Sequence, residues 1–486
     1  MIEIMQKNLL KTQAFVDGEW VDADNGKTFD VYNPATGEKI ASCADLSANE
    51  AQHAIERSNN AFVKWRKTTA KHRASLLRKW YELVMENQED LAQILTAEQG
   101  KALLESRGEI AYGASYIEWF AEEAKRSYGD VLPTVSDDRR LLTIKQPVGV
   151  VSAITPWNFP TAMITRKASP ALAAGCTIVI KPAAETPLSA LALAELARQA
   201  GIPDGVINVI TSTNSREVGL ELTTNPLVKK VTFTGSTPVG KILLTQAAQT
   251  VKKVSMELGG NAPVLVFEDA DLEQAANGAL FAKFRNCGQT CTCANRIIVH
   301  ENVYDEFVDI FTAKVKALKQ GNGVEDGVEI GPLINEKAVN DVNALMEDAC
   351  DQGATAIITH QLDDTLKGSF YPPTILTNVS PKARVFSEEI FGPVAPIFKF
   401  SSDEEGIALA NDTEYGLASY IYTKDYTRIW KVSEELEYGM VGINETSIAA
   451  DVIPFGGVKE SGLGREGSKY GLDDFTEMKY LCMGGM

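Results

Sequence analysis

The sequence predicts an α/β fold, and two observations carry that assignment. Short apolar, β-branched runs recur through the chain, and stretches with helical periodicity separate them. Such βα alternation builds a parallel sheet with helices on both faces. At 486 residues with 44% hydrophobic content, the chain has length for about two to three domains.

Taken in order, Phe15 to Glu38 alternates apolar and polar residues around DG, NG and PATG turn signals, the pattern of short strands and hairpins. From about Ser47 to Lys125 the pattern is helical. VGVVSAI, CTIVIKP, GVINVIT and VKKVTFTG then read as strands. Between the second and third lies PLSALALAELARQAG, with Thr186 as expected N-cap, Pro187 in the first turn and Gly201 as the stop.

After Gly259 and Gly260 a second set opens: APVLVFED, a helix to about Phe284, NRIIVH, a helix over Val303 to Leu318, AIITH and VAPIFKF. The expected division is a Rossmann-like doubly wound domain (1–127 and 148–260) and a second α/β domain (261–469). The segments 128–147 and 470–486 belong to neither layer and read as a small β extension reaching between chains.

Seven cysteines scattered through a long chain argue for a reducing compartment, and a cytoplasmic location is expected. The start MIEIMQKNLLKTQ has no apolar core typical of a signal peptide. The longest uncharged run, Gln146 to Thr165, is broken by Pro147, Pro156 and Pro160, so no membrane span is expected. A net charge of −18 opposes binding to phosphate backbones, which excludes nucleic acid as an expected partner.

Three of the seven cysteines fall in NCGQTCTC, Asn286 to Cys293. A closed zinc site needs four N or S ligands in separated pairs, whereas here the spacing is CxxxCxC with no histidine nearer than His300, so no metal is expected. The plain alternative is three small core residues. Gly288, Gln289 and the polar Asn286 and Thr290 instead suggest a loop at an element's end, where reactive groups tend to sit.

A nucleophilic thiol needs a partner that withdraws its proton or follows it in the mechanism. His53, His72, His300 and His360 lie in helix-like or strand-like contexts, which leaves Glu257 of MELGGNAP as the candidate. GSTPVGKI nearly spells a P-loop, but Ile242 stands where a magnesium-binding Ser or Thr belongs. Following a strand and opening a helix, it suits a dinucleotide's diphosphate instead.

FRNCGQTC, MELGGNAP, PWNFP, KPAAETP, FTGSTPVG, EEIFGPV and PFGGVKESGLGREG together resemble the aldehyde dehydrogenase superfamily from about Phe15 to the C-terminus. FRNCGQTCTCANR and the ending GLGREGSKYGLDDFTEMKYLC are most similar to succinate-semialdehyde dehydrogenases. The resemblance implies a dinucleotide-binding first domain, a catalytic second domain, and oligomerisation through 128–147 and 470–486 into a homodimer or homotetramer.

It also implies roles. Cys291 would attack the aldehyde carbon, Asn158 and the Cys291 backbone N–H would form the oxyanion hole, and Glu257 would activate water on the resulting thioester. Thr155, Pro156, Trp157, Lys181, Ala184, Gly235, Ser236, Glu257, Glu389 and Phe391 fall at cofactor positions. NAD-selective relatives place a glutamate where this chain has Ala184, with the acid moved to Glu185. Removing that carboxylate removes repulsion against a 2′-phosphate, so NADP is the expected cofactor, with NAD also usable.

Arg166 and Arg285 match positions that hold a substrate's distal carboxylate, for which planar two-pronged donors are suited. Phe455 falls at a third substrate position. Relatives carry a serine at the position of Ala449, and Ser447 is the nearest hydroxyl that could replace it, a change that points to glutarate semialdehyde as the alternative substrate. Cys293, two residues from Cys291 along what reads as extended chain, would lie about 6.6 Å from it backbone to backbone with both side chains on one face, just inside the span a disulfide can bridge, and so suggests a reversible disulfide switch.

Overall fold

The computed structural model describes residues 2, 4–361 and 366–485, which leaves positions 1, 3, 362–365 and 486 of the expected segments outside the described residues. Among the described residues no helix is long and apolar enough to cross a membrane.

Near the N-terminus the expected hairpins form, Ala14–Val16 with Glu19–Val21 and Thr28–Tyr32 with Lys39–Ala44. Four helices follow, Ala48–Trp65, Ala70–Glu86, Gln88–Gln99 and Leu103–Glu123. Ser47 and Glu50 close a reciprocal capping box on the first of them.

Five parallel strands then make the centre of the first sheet, in the spatial order Lys253–Glu257, Val228–Thr234, Val150–Ile154, Thr177–Lys181, Ile207–Val209. Numbered by position in the chain, that order is 5-4-1-2-3, the doubly wound arrangement expected. Thr177–Lys181 is buried along its whole length, as a strand covered on both faces must be.

A difference from expectation appears at the helix Pro187–Gln199. Thr186 is its N-cap residue, but the Thr186 side chain caps nothing. The distant Glu98 carboxylate instead accepts from the N–H groups of Leu188 and Ser189, at 2.7 Å each. An acid at a helix N-terminus satisfies free donors and complements the helix dipole.

The chain leaves the first sheet at Glu257 and enters the second at Ala262. Ala262–Val266 pairs in parallel with Ala294–His300 and Ala418–Tyr422, and Val394–Phe400, Thr374–Thr377 and Met440–Ile443 extend the sheet, with Thr355–Ile358 antiparallel at one edge. One segment expected in the second domain belongs elsewhere. Gly462–Leu463 pairs antiparallel with Met256 and Glu257 at the edge of the first sheet. Gly462, at φ +136, packs where a side chain would collide with the Met256 carbonyl, so the approach requires glycine.

The tail strand Thr476–Gly484 pairs with Arg139–Pro147, and Val131–Leu132 completes a three-stranded sheet. Val131 is 89% exposed and Tyr480 56%, so large apolar side chains of this sheet face outward.

Candidate active site

Strand order reverses between Val150–Ile154 and Val228–Thr234. Open α/β sheets hold ligands outside the carboxyl ends of their strands at such a point. Two stretches leave the sheet there: Thr155 to Pro160, and Gly235 and Ser236, which lead into the helix Thr237–Ala248. Pro156, Trp157, Asn158, Gly235 and Ser236 line a cavity of about 300 Å³, closed on the far side by Glu389 and Phe391.

The Trp157 and Phe391 rings meet edge to face, centroids 5.5 Å apart. Glu389 Oε1 accepts from the Gly260 N–H at 3.1 Å. Burial pushes its carboxyl up to about 8, against that bond and the charge of Lys283. On the next strand, Lys181 is buried, and its ammonium has one long bond, 3.4 Å to the Pro182 carbonyl. Burial lowers its pKa while Glu185 and Asp45 oppose the shift. Ala184 is half-buried and Glu185 exposed. Thr155 is buried, its N–H bonded to the Lys181 carbonyl at 3.1 Å.

A second cavity of about 420 Å³ opens on the other side of Cys291. Cys291 lines both, so its thiol stands where the two meet. The local backbone explains why. The helix Leu272–Phe284 is followed by Asn286, Cys287 and Gly288, all with positive φ (50, 55 and 76°). Holding the two non-glycine residues there costs on the order of 1–3 kcal/mol each.

Neighbours offset that cost. Glu105 accepts from the Asn286 N–H at 3.0 Å, Gln99 Nε2 donates to Asn286 Oδ1 at 3.0 Å, and Asn286 Nδ2 donates to the Asn158 carbonyl at 3.0 Å. The Cys293 N–H then closes a turn onto the Thr290 carbonyl at 2.9 Å, with Cys291 and Thr292 at its corner.

This turn corrects the extended chain expected at Cys291 to Cys293. Cys291 and Thr292 line the second cavity, while Cys293 is 5% exposed and lines neither, its Sγ–H donating to the Lys283 carbonyl at 3.5 Å. The shared face that suggested a disulfide switch is therefore absent from this backbone. All seven cysteines are unpaired.

Burial pushes the Cys291 thiol up to about 12, with Arg166 and Arg285 opposing and Glu389 and Glu257 adding to the rise. Asn158 Nδ2 donates to the Gln289 carbonyl at 3.0 Å, which leaves its second amide hydrogen free. The Cys291 N–H has no acceptor among the described residues. Glu257 ends its strand with Oε2 unpartnered. Burial raises its carboxyl well above the usual range, Glu466 adds to this, and Arg166, Lys167 and Arg465 oppose it.

Both predicted arginines line the second cavity. Arg166 is 2% exposed, lies 4.0 Å over the Phe455 ring, and has Nη2 2.8 Å from Glu466 Oε2. That approach is not aligned as a hydrogen bond, so Nε and Nη2 keep unpartnered hydrogens. Glu466 also pairs with Lys167. Burial alone would raise Glu466, but Lys167 and Arg166 together hold it below the usual carboxylate range. Arg285 is half-buried between the rings of Phe159 (5.4 Å) and Phe281 (5.3 Å), with no carboxylate in ion-pair contact among the described residues.

Ala449 and Phe455 also line this cavity. Ser447 does not: it is exposed, and its N–H bonds Glu445 at 2.7 Å. The structure thus places the nearest hydroxyl away from the wall it was expected to complete. Sequence reasoning missed Glu466 and the cavity-lining Lys101, Glu105 and Glu109. The charges recurring in GKALLESRGE, on the text of an ordinary helix, were the one available signal. Among the described residues no cluster of His, Cys, Asp and Glu could hold a metal ion.

Comparison with known proteins agrees with this geometry. The sequence model of the aldehyde dehydrogenase family matches residues 20–481. The chain is 57% identical over 485 residues to a glutarate-semialdehyde dehydrogenase of Pseudomonas aeruginosa, covering 100% of both. It is 56% identical over 486 residues to a 3-sulfolactaldehyde dehydrogenase of Pseudomonas putida, again covering 100% of both. It is 55% identical over 483 residues to the succinate-semialdehyde dehydrogenase [NADP(+)] of Escherichia coli, covering 99% of this chain and 100% of that one. With a thiol at the junction of two cavities and a family match over nearly its whole length, this chain belongs to the aldehyde dehydrogenase family, as an NAD(P)-dependent enzyme.

Proposed function

We propose that the enzyme oxidises a short aldehyde bearing an anionic group at its far end, succinate semialdehyde first, with NADP as the preferred cofactor. One observation carries the substrate class. Two guanidinium groups, one with unpartnered hydrogens and one with no ion pair, face the cavity that holds the Cys291 thiol. Glutarate semialdehyde is the second reading, favoured by Ala449, which lines the wall without the hydroxyl that a serine there would offer the carboxylate.

The chemistry follows from the residues. The Cys291 sulfur, its proton released to solvent through the open second cavity, bonds the aldehyde carbon and forms a thiohemiacetal alkoxide. The free Asn158 amide hydrogen and the Cys291 N–H donate to that oxygen, each such donor contributing about 3 kcal/mol. A nicotinamide dinucleotide held in the first cavity would supply the two-electron oxidant for the hydride of that carbon. Cys291 is then a thioester, and Glu257 takes a proton from water as the water attacks it, releasing the carboxylate and the thiol.

The first cavity and the strand ends beside it suit a dinucleotide. They lie at the switch point, Gly235 and Ser236 lead into a helix N-terminus, and Lys181 has an under-used buried ammonium for a ribose hydroxyl. Glu389 and Phe391 would hold the nicotinamide end. With Ala184 in place of an acid, kcat/KM is expected to be higher with NADP than with NAD; initial rates with each cofactor check this, and a strong NAD preference would contradict it.

Arg285→Ala tests the substrate class. Losing a charge-assisted hydrogen bond worth about 1.5–3 kcal/mol should lower kcat/KM for succinate semialdehyde roughly 10- to 100-fold. Neutral aldehydes of similar length should change little. If neutral aldehydes outrun ω-carboxylated ones in the unaltered enzyme, the substrate reading fails.

The exposed sheet of Val131–Leu132, Arg139–Pro147 and Thr476–Gly484 is inferred to extend between subunits of a homodimer or homotetramer. Its outward Val131, Met478 and Tyr480 support this, and the unpaired cysteines accord with a cytoplasmic location.

A further inference from the structure

The wall of the second cavity includes a buried ion pair to which the chemistry above gives no part. Lys101 and Glu109 side chains are each 1% exposed, with Nζ 2.6 Å from Glu109 Oε2. Ion pairs this deep carry a desolvation cost that commonly cancels their attraction, so stability alone is a poor reason for one. Its remaining bonds are more specific.

Lys101 Nζ also donates to the Asn158 carbonyl at 2.7 Å and sits 3.9 Å over the Phe159 ring. Glu109 Oε1 accepts from the N–H groups of Thr161 (2.9 Å) and Ala162 (3.2 Å). The pair therefore grips the segment from Asn158 to Ala162 at both ends. The Asn158 carbonyl receives a second donor, Asn286 Nδ2 at 3.0 Å, which ties it to the Cys291 loop. Lys101 itself follows a fixed elbow: Gly100 has φ +96, and the Leu103 N–H bonds the Gly323 carbonyl at 2.8 Å.

We propose that Lys101 and Glu109 are positioning residues that hold the Asn158 amide in line with the oxyanion, so that the pair acts on the rate of the chemistry rather than on binding. The inference rests on the reading of Asn158 as an oxyanion donor. A donor contributes fully only when it is already aimed at the developing charge, and a displacement of about 1 Å can cost 100-fold. The loop Asn158 to Pro160 has neither helix nor strand to hold it, and this pair supplies what they would.

The test uses Lys101→Met/Glu109→Gln, which removes both charges together and leaves neither buried alone. Steady-state kinetics are run with succinate semialdehyde and NADP, beside Asn158→Ala and the triple variant. Expected is a fall in kcat of about 10- to 100-fold, with KM for both ligands within about twofold, and no further fall when the pair is replaced in the Asn158→Ala background. An unchanged kcat in the double variant would overturn the proposal, as would losses that multiply in the triple variant. If the double variant does not fold, Lys101→Leu/Glu109→Leu, which again leaves no charge buried alone, carries the same comparison with the same two outcomes. Wild-type kcat in Asn158→Ala would instead overturn the oxyanion reading, and this inference with it.

Discussion

Cys291→Ala is expected to lower aldehyde oxidation by about 10⁴-fold or more, because it removes the atom to which the substrate must become attached. No neighbour can take its place. Cys287 is 2% exposed and Cys293 5% exposed, and the latter points at the Lys283 carbonyl. Thr290 and Thr292 line the cavity, but no base is bonded to either hydroxyl. The substitution is small and the site half-buried, so thermal stability and NADP binding, followed by fluorescence titration, should change little while reduced cofactor ceases to form. A rate within tenfold of the parent would mean that hydride leaves from an aldehyde, or its hydrate, never joined to the thiol.

Glu257→Gln should divide the reaction in two. Thioester formation precedes any need for activated water, so mixing enzyme, aldehyde and cofactor should still give a burst of reduced cofactor near one per site. Turnover afterwards should fall by roughly 10²–10⁴-fold, the usual contribution of a positioned base. The Gln side chain fits because the carboxyl is buried with Oε2 unpartnered, so the fold loses no bond made by that oxygen.

The same residue sets a pH dependence. Burial and the Glu466 charge raise its pKa, so below that pKa the carboxyl holds its proton and cannot accept one from water. In the parent enzyme thioester hydrolysis should therefore climb with pH along a limb above the ordinary carboxylate range. In Glu257→Gln the limb should vanish. Single-turnover release of product across pH, with both proteins, checks this.

The fold was legible where local signals are strong. Val148 to Ile154 and Cys176 to Pro182 could only be buried strands, and the chain first passes from one sheet to the other between Glu257 and Ala262. Of the site, Cys291, Arg166 and Arg285 were reached through the motifs that resemble the aldehyde dehydrogenase family, and the structure brings all three to one cavity.

What stayed hidden depends on contacts between distant parts of the chain. Lys101 lies 57 positions from Asn158 and Glu98 lies 90 from Leu188, and in each case helical text shows no sign of the partner. Glu466 sits among glycines in the C-terminal segment, and only the fold carries it to Arg166 and Lys167. The Cys293 expectation failed for a local reason: a turn hydrogen bond and left-handed residues at Asn286 and Cys287 rotate the chain out of the extended form that alternating residues suggest.

Acid-quenched mass spectrometry of Glu257→Gln, mixed for one burst with succinate semialdehyde and NADP, tests the covalent route most directly. The account predicts a single acyl group per chain, carried on the peptide that contains Cys291. Product formed with no acyl group on that peptide, or with the group on another residue, would contradict it.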